Sequence, residues 1–425
     1  MSKSMSMSIS APQMKETIWN KKFVNIFVIN FTLSMGQYMM NTLIPKFADH
    51  LGATPTVVGI VSSMFAITAL LIRPAAGPAM DYFRKSRLLA AAVGLVALAF
   101  ICYGFAHSVG VIMAARLIHG VGIGTAVPLS LAMASNALPA SKMASGIGVY
   151  TLGSAVATAI GPSIGLKLTA YVGYNNTFFI ISGLLGVCLL LTLRLKTAMP
   201  ERTERFKISL NRMIVPEVLI PTVVLFFLTV AYACINYFIA LYGGLRGIAD
   251  IGLFFTAYAV CLLISRPISG KISDRYGVDK TVIPGILIFA LSFVVISFST
   301  TLQMFLLAGA VCAFGYGICV PAIQTLCMQL VSKQRRGAAG NMNFIGIDIG
   351  NLTGPILAGL VITNVQRGTG SEIVGYEAMY RIMIIPIIAA LVIFIVNRKK
   401  MLVQQADSIT EQANPADTQK TVTTS

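Results

Sequence analysis

The chain has 425 residues, 56% of them apolar and only 11% charged, with 32 Lys and Arg against 15 Asp and Glu for a net charge of +17. A water-soluble chain carries roughly 25% charged residues, so a soluble enzyme is excluded. The basic residues lie in short loops and not on one soluble face, which also argues against a nucleic-acid partner. Apolar runs of about 18 to 25 residues, each able to cross the hydrocarbon core as a helix, recur from Phe23 to Val396. The expected class is an all-α, multi-pass membrane protein.

Twelve spans are predicted, at 22–44, 56–77, 88–107, 110–131, 144–170, 176–195, 214–241, 250–270, 281–300, 302–330, 338–364 and 377–397. Of the 32 Lys and Arg, 24 fall in the two tails and every second loop, while only Lys46, Lys167, Arg246, Arg367 and Arg381 fall on the other side. The positive-inside rule then puts both termini in the cytoplasm of a cell whose inner or cytoplasmic membrane holds the protein. The first span is too long for a cleaved signal and no small-residue cleavage site follows it. The seven cysteines all lie in apolar segments without metal-like pairing, so they read as small core fillers.

In the first span Asn30, Ser34, Gln37 and Asn41 follow one helical stripe, flanked by Tyr38, and no acid stands midway. The second span ends in Arg73-Pro74-x-x-Gly77-x-x-x-Asp81. On the fourth, Arg116 leads Arg116-Leu117-Ile118-His119-Gly120-x-x-x-Gly124, with His119 on the same face. The fifth carries Gly148, Ala157, Gly161, Pro162 and Gly165, small residues that let helices approach and a proline that lets one bend. A polar, basic linker at 197–212 follows the sixth. The seventh span presents Thr229, Tyr232 and Asn236, and the eighth ends in Arg266-Pro267-x-x-Gly270-x-x-x-Asp274.

In the eleventh span Asp348 is the sole acid well inside any helix, about 15 Å from its start at 1.5 Å per residue. Asn341 and Asn351 share its face, while Gly346 and Gly350 lie elsewhere, free to pack on a neighbour. A carboxylate without a partner in low dielectric takes up a proton near neutral pH, which makes Asp348 a candidate for proton coupling, with Arg116 or His119 as partner. A permanent ion pair with an arginine is the competing reading.

The Arg-Pro-x-x-Gly-x-x-x-Asp segment occurs twice at an offset of 193 positions, and the same offset maps Gly122, Gly124, Val127 and Pro128 onto Gly315, Gly317, Val320 and Pro321. It also maps Gly153, Gly161 and Pro162 onto Gly346, Gly354 and Pro355. A constant register across separate helices signals a duplicated unit of six spans. Because six is even, both copies enter the membrane in the same orientation, related by an axis along its normal. The expected organisation is a tail at 1–21, six-helix bundles at 22–196 and 213–397 joined by the linker, and a tail at 398–425.

These residues carry a resemblance to the major facilitator superfamily, in particular to its 12-span drug or metabolite:proton antiporters. The family's loop motif G-x-x-x-D-R-x-G-R-K is matched by Gly270, Asp274, Arg275 and Gly277, and in the first copy by Gly77 and Asp81, where Tyr82 and Arg84 replace the usual Arg and Gly. Its exporters share G-x8-G-x3-G-P-x-x-G-G, here Gly148, Ala157, Gly161, Pro162, Gly165 and Leu166. Arg116, Gly120 and Gly124 are similar to its R-x-x-x-G-x-x-x-G.

The resemblance implies two bundles tilting about a central cavity walled by the first, fourth, seventh and tenth spans. Asn30, Ser34, Gln37, Tyr38, Asn41, Arg116, Tyr232, Asn236, Tyr258 and Gln324 would then be substrate wall. The two loop motifs would be latches locking one conformation, with Asp81 near the start of the eleventh span and Asp274 near that of the fifth. The glycines and prolines of the fifth span, with Gly354 and Pro355 as their second copy, would form a flexible contact between the halves.

The expected function is proton-linked export of a small organic compound, amphiphilic or with an anionic group, by a monomer without cofactor or metal. Proton-linked import of a metabolite is the alternative, and a non-transporting receptor a remote one. The phosphate-binding pattern G-x-x-x-x-G-K-[ST] is absent, so nucleotide is not expected as fuel.

Overall fold

A backbone in hydrocarbon must satisfy its own N–H and C=O groups, and among the described residues every regular element is helical. The structure, a computed structural model, describes residues 17–139, 143–195, 197, 214–331 and 335–413. The expected N-terminal tail and linker therefore lie largely outside the described residues, as does the C-terminal tail beyond 413. In chain order the elements are α1 (Lys21–His50), α2 (Pro55–Tyr82), α3 (Lys85–Gly104), α4 (Val109–Ala137), α5 (Met143–Leu193) and α6 (Leu219–Leu245). Then come α7 (Leu253–Tyr276), α8 (Asp279–Phe298), α9 (Leu302–Gln329), α10 (Arg336–Thr369), α11 (Glu372–Ile382) and α12 (Ile384–Ala413). The first four spans are α1 to α4, and the seventh to eleventh are α6 to α10.

Two expected boundaries are corrected. The fifth and sixth spans are not separated by a loop: they are two arms of α5 that meet at Gly173, φ +79°. A residue without a Cβ enters that region at little cost, so one glycine replaces a connection. The twelfth span is α11 and α12, broken at Met383, and α12 runs on to Ala413, so the C-terminal tail expected from 398 begins as helix. Hydropathy marks where hydrocarbon ends, whereas helical hydrogen bonding continues into the interface.

The starts of α1, α3 and α10 and the ends of α2, α4, α7, α9 and α12 share one side, here termed the basic face. The repeat is visible in the packing. Gly122 brings α4 against α3 at Ala92 and Val96, and Gly315 brings α9 against α8 at Phe289. Gly124 lies against Ala69 and Ile72 of α2, and Gly317 against Leu262 and Ser265 of α7, each pair again 193 apart. Helices in lipid lack a hydrophobic force toward one another, so small residues that permit close approach set their geometry.

The halves meet along α2 and α10, α5 and α7, and α1 and α6. The first contact is the tightest. A Cβ at Gly59 would lie 2.1 Å from the Pro355 carbonyl oxygen, and one at Gly359 2.3 Å from that of Pro55. Thr56 Oγ1 lies 2.8 Å from Thr363 Oγ1 and 3.2 Å from the Gly359 carbonyl. Between α5 and α7, Ser163 Oγ donates to the Gly252 carbonyl (2.8 Å) and Thr256 Oγ1 to that of Ala159 (3.2 Å). All these bonds lie toward the face opposite the basic one.

Backbone cannot yield as a side chain does, so Gly59→Ala is expected to destabilise by about 1–3 kcal/mol, the usual cost of overpacking. Gly183→Ala, where nothing lies within 4 Å of the added Cβ, should be neutral. Thermal unfolding of the purified variants in detergent checks the contrast.

Candidate functional site

Asp348 and Arg73 form an ion pair through Arg73 Nε. Asp348 is 7% exposed. The guanidinium of Arg73 also lies 5.0 Å from the Phe344 ring centroid, one turn before Asp348. Gly346 and Gly350 press α10 onto α6 at Thr222 and at Phe226 and Thr229, holding the carboxylate-bearing helix in its own half. Arg73 belongs to α2 in the other half, so the pair bridges the two.

The partners expected for Asp348 are Arg116 and His119, and the structure pairs it with neither. Depth explains this: at 1.5 Å per residue, Asp348 and Arg73 stand about 18 and 14 Å from the basic ends of their helices, and Arg116 about 31 Å. Matching depth between in-span charges is the signal that would have found Arg73. Arg116 is fully buried and gives two of its nitrogens to backbone: Nε donates to the Val61 carbonyl (3.2 Å) and one terminal nitrogen to that of Ser62, while the other terminal nitrogen is buried without an acceptor among the described residues. Its guanidinium lies 4.4 Å from the Phe65 centroid, and Tyr103 and Tyr237 face it. Gly120, whose Cβ would meet the Phe65 carbonyl oxygen at 2.1 Å, lets α4 come close enough to α2 for this reach. His119 Nδ1 lies 3.3 Å from Tyr103 Oη, and its ring stands edge-on to Phe100. Both residues tie α4 to its neighbours.

The polar stripe of α1 divides. Asn30 Nδ2 donates to Ser154 Oγ of α5 (3.1 Å), and Ser34 Oγ lies 3.1 Å from the same oxygen. These two join helices within one half. Gln37 Nε2 donates to Asn41 Oδ1 (3.0 Å). Tyr38 lies within electrostatic reach of Tyr232 and Tyr316. Across from it α6, α7 and α9 contribute an aromatic wall: Tyr232 stacks on Tyr316 with centroids 3.9 Å apart and planes 8° apart, and Tyr258 lies 5.9 Å from Tyr232. The sequence reading missed Tyr316, which shares helix α9 with Gln324. Asn236 is buried at 7% exposure, and Gln324 lines a cavity of about 350 Å³.

The bending motif needs correction. Gly161 and Gly165 pack on α1 at Tyr38 and Met39, within their own half, and Gly354 packs on α6 at Val230. The contact between halves is carried by Ala159 and Ser163 on the other face of α5, and by the Pro355 carbonyl against Gly59. Pro162 and Ala157 are buried. Of the latch residues, Gly277 ends α7 at φ +94° and Arg275 is exposed, its guanidinium 5.3 Å from the Tyr276 ring centroid. Where the first copy has Arg84, the chain is extended at φ −61° and that turn is not repeated. The side chains of Gly77, Asp81, Gly148, Gly270 and Asp274 lie outside the described residues. Among the described residues no three His, Cys, Asp or Glu side chains converge as a metal ion would need.

The family model described as Major Facilitator Superfamily matches residues 26–250 and 247–421. The chain belongs to the major facilitator superfamily. It is 27% identical over 369 residues to a protein named Multidrug resistance protein MdtG from Enterobacter lignolyticus (strain SCF1), covering 81% of this chain and 87% of that one. The protein of that name from Citrobacter koseri is also 27% identical, over 366 residues, covering 81% and 88%. Among solved structures, a mutant of the nucleoside transporter NupG aligns with TM-score 0.76 at 13% identity, covering 88% of this chain and 99% of that one. A bacterial homolog to the human lysosomal transporter Spinster, inward-facing and occupied, aligns with TM-score 0.76 at 15% identity, covering 90% and 97%. At these identities the likeness establishes the fold, that of a multi-pass membrane transporter.

Removing one partner of a buried ion pair costs about 3–5 kcal/mol because the other charge is left uncompensated. Arg73→Met and Asp348→Leu should therefore each lower the unfolding temperature, while the double substitution recovers most of the loss. Thermal unfolding of the three variants in the same detergent measures the coupling.

Proposed function

We propose that the protein is a proton-coupled exporter of small amphiphilic organic compounds, with both termini in the cytoplasm. The observation that carries the reading is the ion pair between Arg73 and Asp348, the one buried charge pair between the halves among the described residues. The multidrug names of the relatives support export of organic molecules. The positive-inside count supports the orientation, which makes the basic face cytoplasmic.

The hydrogen bonds of Thr56, Ser163 and Thr256 close the exterior side in this structure, so a substrate reaches the cavity from the cytoplasm. In this state Arg73 holds Asp348 as a carboxylate. Movement of the halves toward the outward-open state draws α2 from α10 and separates the pair. A carboxylate parted from its cation in a dry environment is more stable neutral than charged, so Asp348 takes a proton from the exterior once substrate has left. The protonated carrier returns, Arg73 again faces the carboxyl group, and the proton leaves to the cytoplasm. One proton enters for each substrate movement outward, and the carboxylate is never left charged away from its cation.

The wall met by substrate is uncharged: Tyr38, Tyr232, Tyr258 and Tyr316 with Gln37 and Asn41. Arg116 gives Nε and one terminal nitrogen to carbonyls and is fully buried, so it is not counted in this wall. Stacked tyrosines favour planar aromatic bodies.

In everted vesicles with an inside-acid gradient, the wild type should accumulate a planar aromatic dye and Asp348→Asn should not exceed empty vesicles. The same variant should still exchange dye across both sides at equal pH. Unchanged gradient-driven accumulation by Asp348→Asn would remove the coupling role. Tyr316→Ala should raise KM for the dye by about 2- to 10-fold, the worth of one aromatic contact, measured as initial flux against dye concentration.

A further inference from the structure

Between α9 and α10, toward the basic face, a cleft of about 350 Å³ is walled by Gln324, Thr325 and Met328 on one side and by Gly340, Asn343 and Phe344 on the other. The volume suits a small organic molecule. Among the described residues no charged side chain lines it, so the described wall suits an uncharged group.

Its wall contains an unanswered donor. Asn343 is 2% exposed. Its Oδ1 accepts from Cys327 Sγ (2.9 Å) and from Thr222 Oγ1 (3.4 Å), which leaves Nδ2 as the donor. That Nδ2 is buried and has no acceptor among the described residues. Buried polar groups are nearly always paired, and the adjoining cleft is where an acceptor can be supplied. A Cβ at Gly340 would lie 3.0 Å from Met328 Cε, so the glycine helps keep the space clear.

Two neighbours relate the cleft to the transport machinery. Phe344 is both cleft wall and the ring beneath the Arg73 guanidinium, 5.0 Å away. Gln324 lies two turns along α9 from Tyr316, about 12 Å at 1.5 Å per residue, so one helix leads from the cleft to the aromatic wall.

Resting on the export reading above, we propose that this cleft is a cytoplasmic loading site that holds the neutral, acceptor-bearing part of a substrate before it reaches the tyrosine wall. The chemical class is an apolar body carrying a carbonyl oxygen, as in a ketone, ester or amide. The oxygen accepts from Asn343 Nδ2, the body lies against Met328 and Phe344, and contact with Phe344 reports occupancy to the ion pair behind it.

Benzophenone, a neutral aromatic ketone, tests this on the full chain purified in detergent. Under light its carbonyl takes a hydrogen atom from a C–H of the contacted side chain, and the two carbon radicals join to leave a tertiary alcohol on the protein. Mass spectrometry should find the adduct on Met328, rising to saturation with benzophenone concentration. Gly340→Leu, which fills the cleft, should remove the saturable adduct. Asn343→Leu should lower it at least about fivefold at sub-saturating concentration, the loss expected for one hydrogen bond. Folding of each variant is checked by monodispersity, and if one fails to fold the other decides.

Labelling of Met328 that does not saturate, or that persists unchanged in the folded variants, overturns the proposal. Gradient-driven dye flux by the wild type in vesicles is measured alongside. Flux without saturable Met328 labelling overturns the loading site and spares the export reading. Saturable, variant-sensitive labelling without flux overturns the export reading and with it the loading role, leaving a ligand cleft.

Discussion

In hydrocarbon a charge is tolerable while its counter-charge faces it and costly once that partner moves away. Arg73 and Asp348 stand on helices of different halves, so every rearrangement of the halves must deal with that cost. What brings them within reach is backbone geometry. Gly59 and Gly359 let α2 and α10 touch at their carbonyls, and the two antiparallel helices then stay in register down to the level of the pair. Remove the small residues and the charges no longer meet. Remove the charges and the helices still pack, but their separation no longer leaves a buried charge without its partner.

Among the described residues the second interface between the halves, α5 against α7, lacks any such device. The repeat partner of Arg73 is Arg266, which is exposed, and the repeat partner of Asp348 is Ala155, 5% exposed and unable to hold a charge. Neutral hydrogen bonds from Ser163 and Thr256 join this side instead. Duplication therefore preserved the packing of each half, down to Gly122 and Gly315 on equivalent neighbours, while among the described residues a charge pair bridges the halves on one side only. A carrier that moves one proton needs one titratable bridge. A second would have to be discharged in the same step, doubling the electrostatic barrier without adding control over it.

Much of the architecture was legible because the membrane imposes it. Apolar runs located the helices, and the 193-residue register announced two equivalent bundles. Periodicity could not show that Gly173 alone turns the chain inside α5, since a turn without a loop leaves no polar interruption to read. At the site, Asp348 stood out because an acid deep in a span is rare, yet its partner was sought on the wrong helix. Arg116 looked available from its sequence position alone. Its engagement depends on Gly120 admitting α4 to the carbonyls of α2, a fact of three dimensions. Asn30 and Ser34 were likewise indistinguishable in sequence from Gln37 and Asn41, because a stripe on a helix does not say which neighbour it faces. The tyrosine wall was half visible: Tyr232 and Tyr258 were noted, while Tyr316 emerged from stacking between α6 and α9.

The sequestration of Arg116 has a further consequence for the chemistry. With that cation turned to backbone and Asp348 turned to Arg73, the tyrosine and amide groups between the halves recognise shape and polarity without fixed charge. On the proposed reading, substrate binding and proton binding occupy different helices: α6, α7 and α9 for the former, α2 and α10 for the latter. Coupling must pass between them through packing. Phe344 is placed for this, with one face toward Arg73 and another toward the cleft beside α9, so a displacement of its ring acts on both. Separating the two tasks also frees the wall from matching the charge of any one compound, and a neutral aromatic surface contacts many planar molecules through the same quadrupole and apolar area. If the proposed function holds, breadth of substrate and strictness of proton coupling are compatible in one fold, since the first is set by side chains that the second does not use.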